Sequence, residues 1–236
     1  MAPAIAFLLV VIGGCRTTVG VEITQDDTGG GTLTATLTVD PDALEALGGP
    51  EVVLLDDLSG TAWQVSERST SDEGGLLIQA TRDFTDADTL QTALDELAPG
   101  VFSNVRSDVR SSFATTEHNL SLDVAVSGDL AQFSDDALTE TLGGNPVGYT
   151  PDELKLLGAD QPGVATMEVV VSVPGGEPDD ARFDLATGGA QNASLSSTSE
   201  DRDSAVITLA IVGAALVGIG LLAGLVFLVW RPRRRV

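Results

Sequence analysis

The stretch VGVEITQDDTGGGTLTATLTV, residues 19–39, alternates twice around a single turn. Val19, Val21 and Ile23 point one way, with Gly20, Glu22 and Thr24 opposite. After the glycines, Leu33, Ala35, Leu37 and Val39 share one face, and Thr32, Thr34, Thr36 and Thr38 share the other. A period of two on both sides of a Gly-rich turn predicts a β-hairpin, apolar on its buried face and β-branched on its wet one.

Downstream, the pattern changes period repeatedly. Asp40-Pro41 offers an N-cap with proline in the first turn, and Gly48 ends the short helix it begins. PEVVLLDDL (50–58) fits a helix through Val52, Leu55 and Leu58. Trp63 and Val65 start a strand, STSDEGG (69–75) turns the chain, and Leu76, Ile78 and Ala80 return. Thr85 caps a helix from Asp86 to Leu97 with Leu90, Leu94 and Leu97 in one stripe. Leu120, Leu122, Val124 and Val126 alternate again. A short helix starting at Ser134 or Asp135 and ending at Gly143, then the capping box TPDELKLLG (150–158), precede a last clear strand through Met167, Val169, Val171 and Val173. Hairpins separated by helices, without a repeated strand–helix–strand beat, predict an α+β domain: an antiparallel sheet of hairpins with several short helices. Trp63, Phe84, Leu90, Leu94, Leu97, Phe102 and Phe113 read as core. The pattern accommodates a filled core or an apolar cavity for acyl chains equally well.

The two ends carry membrane signals. Residues 4–12 are an apolar run of signal-peptide length, and IGGC places small residues before Cys15, the single cysteine of the chain. Residues 1–14 are therefore expected to be a lipoprotein signal peptide, with Cys15 lipidated as the first mature residue. Residues 205–230 hold 26 positions without a charge, enough for a C-terminal transmembrane helix. The tail at 231–236, with Arg231, Arg233, Arg234 and Arg235, marks the cytoplasmic side, and Trp230 falls at the interface. Gly220 and Gly224 form a GxxxG face that would let two such helices pack as a homodimer. Both ends leave the 15–185 domain outside the cell membrane, followed by a polar stretch at 186–204 that reads as a flexible stalk of roughly 25 Å reach.

All 35 acidic residues lie between Glu22 and Asp203, with only seven of the 12 basic ones. So acidic a surface repels nucleic acid. His118, the single histidine, precedes a strand and reads as a surface or turn residue without a specific nucleophile or acid partner. Asp83, Asp86 and Asp88 cluster, but without the glycine and glutamate of an EF-hand, and two of them suit the first turn of a helix. Asp26-Asp27 reads as a turn. One histidine and a lipidated cysteine do not make a zinc site. No catalytic residue, metal or cofactor is expected.

The order of a lipobox cysteine, VEITQDDTGGGTLTATLTV, LDDLSGTAWQVSE, GGLLIQATRDFTDADTLQTAL and VVVSVPGG, with an uncharged run and an arginine tail behind, resembles the actinobacterial LppM-like envelope lipoproteins. The resemblance implies a non-enzymatic outer domain that binds a membrane lipid or glycolipid, and it supplies no catalytic residues. The alternative reading is a scaffold recruiting an envelope partner through the ectodomain or the membrane segment.

Overall fold

The computed structural model describes residues 16–47, 61–66, 68–71, 74–127, 163–185 and 189–202. Strands dominate: β1 (Thr17–Gln25), β2 (Gly31–Val39), β3 (Gln64–Val65), β4 (Ser69–Thr70), β5 (Leu76–Phe84), β6 (Phe102–Ser111), β7 (Thr115–Val126), β8 (Ala165–Ser172), β9 (Asp179–Asp184) and β10 (Gln191–Arg202). Two helices accompany them among the described residues, α1 (Pro41–Leu47) and α2 (Ala87–Leu97). Residues 16–109 with 118–199 form one compact unit, and 110–117 with 200–202 belong to a second.

The quoted alternation forms the hairpin β1–β2, paired from Thr17 opposite Val39 to Gln25 opposite Gly31. β1 is also the parallel neighbour of β8, with Val19 opposite Met167, Val21 opposite Val169 and Ile23 opposite Val171. β5 flanks β2 and β9 flanks β8, both antiparallel, and the short β3 and β4 pair with β5. The sheet order is β3-β5-β2-β1-β8-β9, with β4 also on β5, and a second sheet runs β10-β7-β6.

These registers align the apolar positions in rows across the first sheet. Ile78, Leu37, Val19, Met167 and Phe183 make one row, all buried. Against that face lie Leu90, Ala93, Leu94 and Leu97 of α2, together with Leu120, Leu122, Val124 and Val126 of β7, in a single core. α2 starts on a capping box: the Asp86 side chain accepts from the Thr89 N–H at 2.8 Å, and the Thr89 hydroxyl accepts from the Asp86 N–H at 3.1 Å. Trp63, buried, donates its indole N–H to Glu96 of α2 at 3.2 Å, and Glu96 also pairs with Arg82 of β5. The Arg82 guanidinium stands 5.9 Å from the Trp63 ring centroid, so one clasp ties helix, strand and tryptophan together.

Several expectations are corrected. Among the described residues the architecture is not an antiparallel α+β sheet of hairpins with several short helices. Strands outnumber helices ten to two among the described residues, and the main sheet is mixed because β8 enters parallel to β1. Alternation records which face a residue takes and not the direction of the neighbouring strand, so the parallel pair is invisible in it. No helix among the described residues is long and apolar enough to cross a membrane. The expected helices at 50–58, 134–143 and 150–158, Gly48 as the end of α1, and the run 205–230 lie outside the described residues. Residues 191–202, read as stalk, are strand β10, because serine and threonine at alternate positions pair as well as they solvate. Phe113, assigned to the core, is 82% exposed at the β6–β7 turn.

The glycines of the quoted turn have a steric cause. Gly31 sits at φ +152°, where a Cβ would lie 2.0 Å from the Thr24 carbonyl oxygen and 2.8 Å from the Phe84 ring. Gly31→Ala is therefore expected to destabilise the fold by about 3 kcal/mol in chemical denaturation, and an unchanged midpoint would show that the hairpin does not depend on this close approach.

Candidate functional site

On the opposite face of the first sheet, the even-numbered residues of β1 and β2 are joined by polar residues of β8. Thr38, Thr18 and Thr166 stand side by side across β2, β1 and β8. The Thr18 and Thr166 hydroxyls are 3.2 Å apart, and Arg182 of β9 reaches across to donate to Thr166 Oγ1 at 3.4 Å. At the end of the row the chain enters β1 through Arg16. Its N–H donates to the Asp40 carboxylate, and its carbonyl accepts from the Asp40 N–H at 3.0 Å.

This corner of the sheet holds a pocket of about 470 Å³. Thr18, Thr38 and Leu77 line it from the sheet, Thr70 and Ser71 from β4 and the turn after it, and Arg16, Asp40 and Arg182 supply the charge. Pockets of a few hundred Å³ with a few convergent polar groups are the usual size of small-ligand sites. Arg82 is bound to Glu96, whereas neither the Arg16 nor the Arg182 guanidinium has a carboxylate partner among the described residues. In a chain with 35 acidic and 12 basic residues, two such guanidinium groups on one pocket are notable for their chemistry. Each presents a fork of N–H donors suited to a phosphate or carboxylate, and the hydroxyls and the Asp40 carboxylate add hydrogen-bonding capacity for sugar or polyol hydroxyls.

The residues singled out from the sequence are placed as follows. Cys15, Gly220, Gly224, Trp230, Arg231, Arg233, Arg234 and Arg235 lie outside the described residues. His118 is not a surface residue: it lies on β7, 4% exposed, on the same inward face as Leu120 and Leu122. Among the described residues its Nδ1 has no hydrogen-bond partner, nor has Oε1 of Gln25, whose Nε2 donates to Ser107 Oγ at 2.8 Å and to the Asn119 carbonyl at 3.2 Å. Asp83 accepts from the Thr32 hydroxyl at 3.1 Å, Asp86 caps α2, and the Asp88 carbonyl accepts from the Thr92 hydroxyl. Asp26 accepts from both the N–H and the hydroxyl of Thr28 at 2.7 Å. Among the described residues no group of three histidine, cysteine or acidic side chains is disposed to hold a metal ion.

The pocket residues were not legible as a group. They come from five separate stretches of chain, and the one available signal is the scarcity of basic residues, which makes Arg16 and Arg182 stand out. Comparison with protein-family models, with curated proteins and with solved structures finds no match.

Among the described residues three carboxylates are held below their ordinary range. Bonds from the Ser194 hydroxyl and then from the Asn104 amide lower Asp123, which thereby joins β7 to β10 and β6. The Thr89 N–H is the largest cause at Asp86, and the Thr28 hydroxyl at Asp26. A folded pKa below the unfolded value of about 3.9 means stabilisation that is complete above that pH and lost as pH falls through the folded value. The thermal midpoint is expected to fall between pH 4 and pH 2.5, and Asp123→Asn should flatten that fall. An equally steep fall in the variant would remove Asp123 from the account.

Proposed function

We propose that this chain is a membrane-anchored envelope lipoprotein whose extracytoplasmic domain binds the phosphate-bearing headgroup of a lipid or glycolipid in the Arg16–Arg182 pocket. The observation that carries the reading is the pair of guanidinium groups, neither ion-paired among the described residues, on one pocket at the start of β1. Arg16 is the residue directly after Cys15. A lipidated Cys15 would hold the Arg16 side of the pocket within about 4 Å of chain of the bilayer surface, where headgroups are the abundant anions. The arginines suit the phosphate, and Asp40 with Thr18, Thr38 and Thr70 suits hydroxyls of an inositol or sugar. A pocket of this size with arginine, aspartate and threonine groups on it suits a headgroup. The resemblance to LppM-like lipoproteins points the same way.

Inositol 1-phosphate titrated calorimetrically into the full chain in detergent micelles is expected to bind saturably. Arg182→Gln and Arg16→Gln should each weaken it roughly tenfold or more, the size of a lost charge-assisted bond. Both side chains are exposed, so the fold survives either change. No saturable binding, or equal affinity in both variants, would overturn the reading and favour a scaffold that recruits a protein partner.

A further inference from the structure

β6 is the outer strand of the second sheet, whose order is β10-β7-β6, so among the described residues one of its edges has no neighbour. An outer strand carries a row of N–H and C=O groups ready to pair with another chain, and proteins blunt long ones with proline, lysine or a bulge. In β6, FSNVRSDVRS, neither proline nor lysine occurs. Asn104 takes a left-handed conformation, φ +53°, and breaks the straight run near its start. The residues after it, Val105 to Val109, are left as an open edge. The β1–β2 turn meets this stretch at the inward row of side chains, where the Ser107 hydroxyl donates to the Gly29 carbonyl at 2.7 Å. Among the described residues no backbone hydrogen bond joins the turn to the strand.

The side chains of this edge select its partner. Arg106 and Asp108 are exposed on one face, and Val105, Ser107 and Val109 are half-buried on the other, with Val105 packed against the core. Neither Arg106 nor Asp108 has an ion-pair partner on its own chain among the described residues, and Arg106 acts on Asp123 only as a more distant charge. Laid antiparallel on a second copy about a two-fold axis at Ser107, Arg106 falls opposite Asp108 of the copy, and Asp108 opposite its Arg106. Val105 and Val109 fall opposite each other on the inner face. Unlike charges directly opposite each other across two strands attract, and like charges repel. The neighbouring registers fail that rule. An axis at Arg106 sets the arginine against itself, and one at Asp108 sets the aspartate against itself and Arg106 against Arg110.

We propose that β6 is a self-association edge: two copies of this chain pair antiparallel through Val105–Val109 about a two-fold axis at Ser107, joining their three-stranded sheets into one of six strands. Main-chain hydrogen bonds supply the attraction, and the reciprocal Arg106–Asp108 pairs fix the register and the choice of a second copy as partner. A contact of this extent belongs with small, transient interfaces, so the dimer dissociates on dilution. It uses neither the pocket nor any membrane attachment.

The test is sedimentation equilibrium of the full chain in density-matched detergent micelles. Every chain carries Gly220→Leu and Gly224→Leu, so that the small-residue face at 205–230 does not supply a dimer of its own. The parent chain is expected to dimerise reversibly. Arg106→Glu and Asp108→Arg, each alone, set like charges opposite each other and should weaken the dimer roughly tenfold or more. Both side chains are exposed, so the fold survives either change. Mixed in equal amounts, the two variants bring an all-acidic strand against an all-basic one, and a mixed dimer should form with the affinity of the parent. That recovery also shows both variants to be folded. A parent chain that stays monomeric at about 1 mM, the weak end of specific association, would overturn the proposal. So would variants that pair with themselves as tightly as the parent does, or a mixture that stays monomeric.

Discussion

The structure depends on β1 being paired along both edges. Every residue from Thr17 to Gln25 has a partner on β2, and all but the last also have one on β8. Nine residues of one strand thus set the register of both halves of the sheet. Because side chains alternate, a slip of one residue would turn Val19, Val21 and Ile23 to the wet face and bury Thr18, Glu22 and Thr24. Burying Glu22 without a partner would be prohibitive, which is why one register wins. The turn that feeds β2 reinforces it, since glycine at position 31 is what lets Thr24 and Phe84 approach so closely.

The same register builds the pocket. With the apolar residues committed inward, the outward row must be Thr38, Thr18 and Thr166, and the residue before β1 must emerge at the end of that row. Arg182 reaches the row from β9 only because β8 lies parallel to β1 and carries β9 on its far edge. The pocket is thus a consequence of the mixed sheet. On a meander of hairpins these groups would not meet. The acidic balance of the chain sets the contrast: basic groups are few, and Arg82 is occupied by Glu96.

Much of the local structure was legible because it rests on local causes. The β1–β2 hairpin, helix α1 behind Asp40-Pro41 and the leucine-striped body of helix α2 follow from period and turn, although the cap of α2 is Asp86 and not the expected Thr85. β6 and β10 escaped because FSNVRSDVRS and QNASLSSTSEDR bury few side chains, so alternation leaves little hydrophobic contrast to read. His118 and Phe113 exchanged their expected places for one reason. The strand through Leu120 extends back to Thr115, which carries position 118 inward by parity and leaves 113 to the turn. Hydropathy assigns histidine outside and phenylalanine inside, and here strand parity and turn position decide instead. The parallel β1–β8 pair, and with it the pocket, depends on contacts nearly 150 residues apart in the chain, for which no local pattern exists.

The central claim, that the Arg16–Arg182 pocket holds a phosphate-bearing headgroup, is tested most directly by native mass spectrometry of the full chain made in a bacterial host that processes lipoproteins. The account predicts a discrete adduct with the mass of a phospholipid or phosphoglycolipid, retained by the parent chain and lost when Arg16 and Arg182 are both replaced by glutamine. The same adduct on both proteins, or none on either, would contradict it.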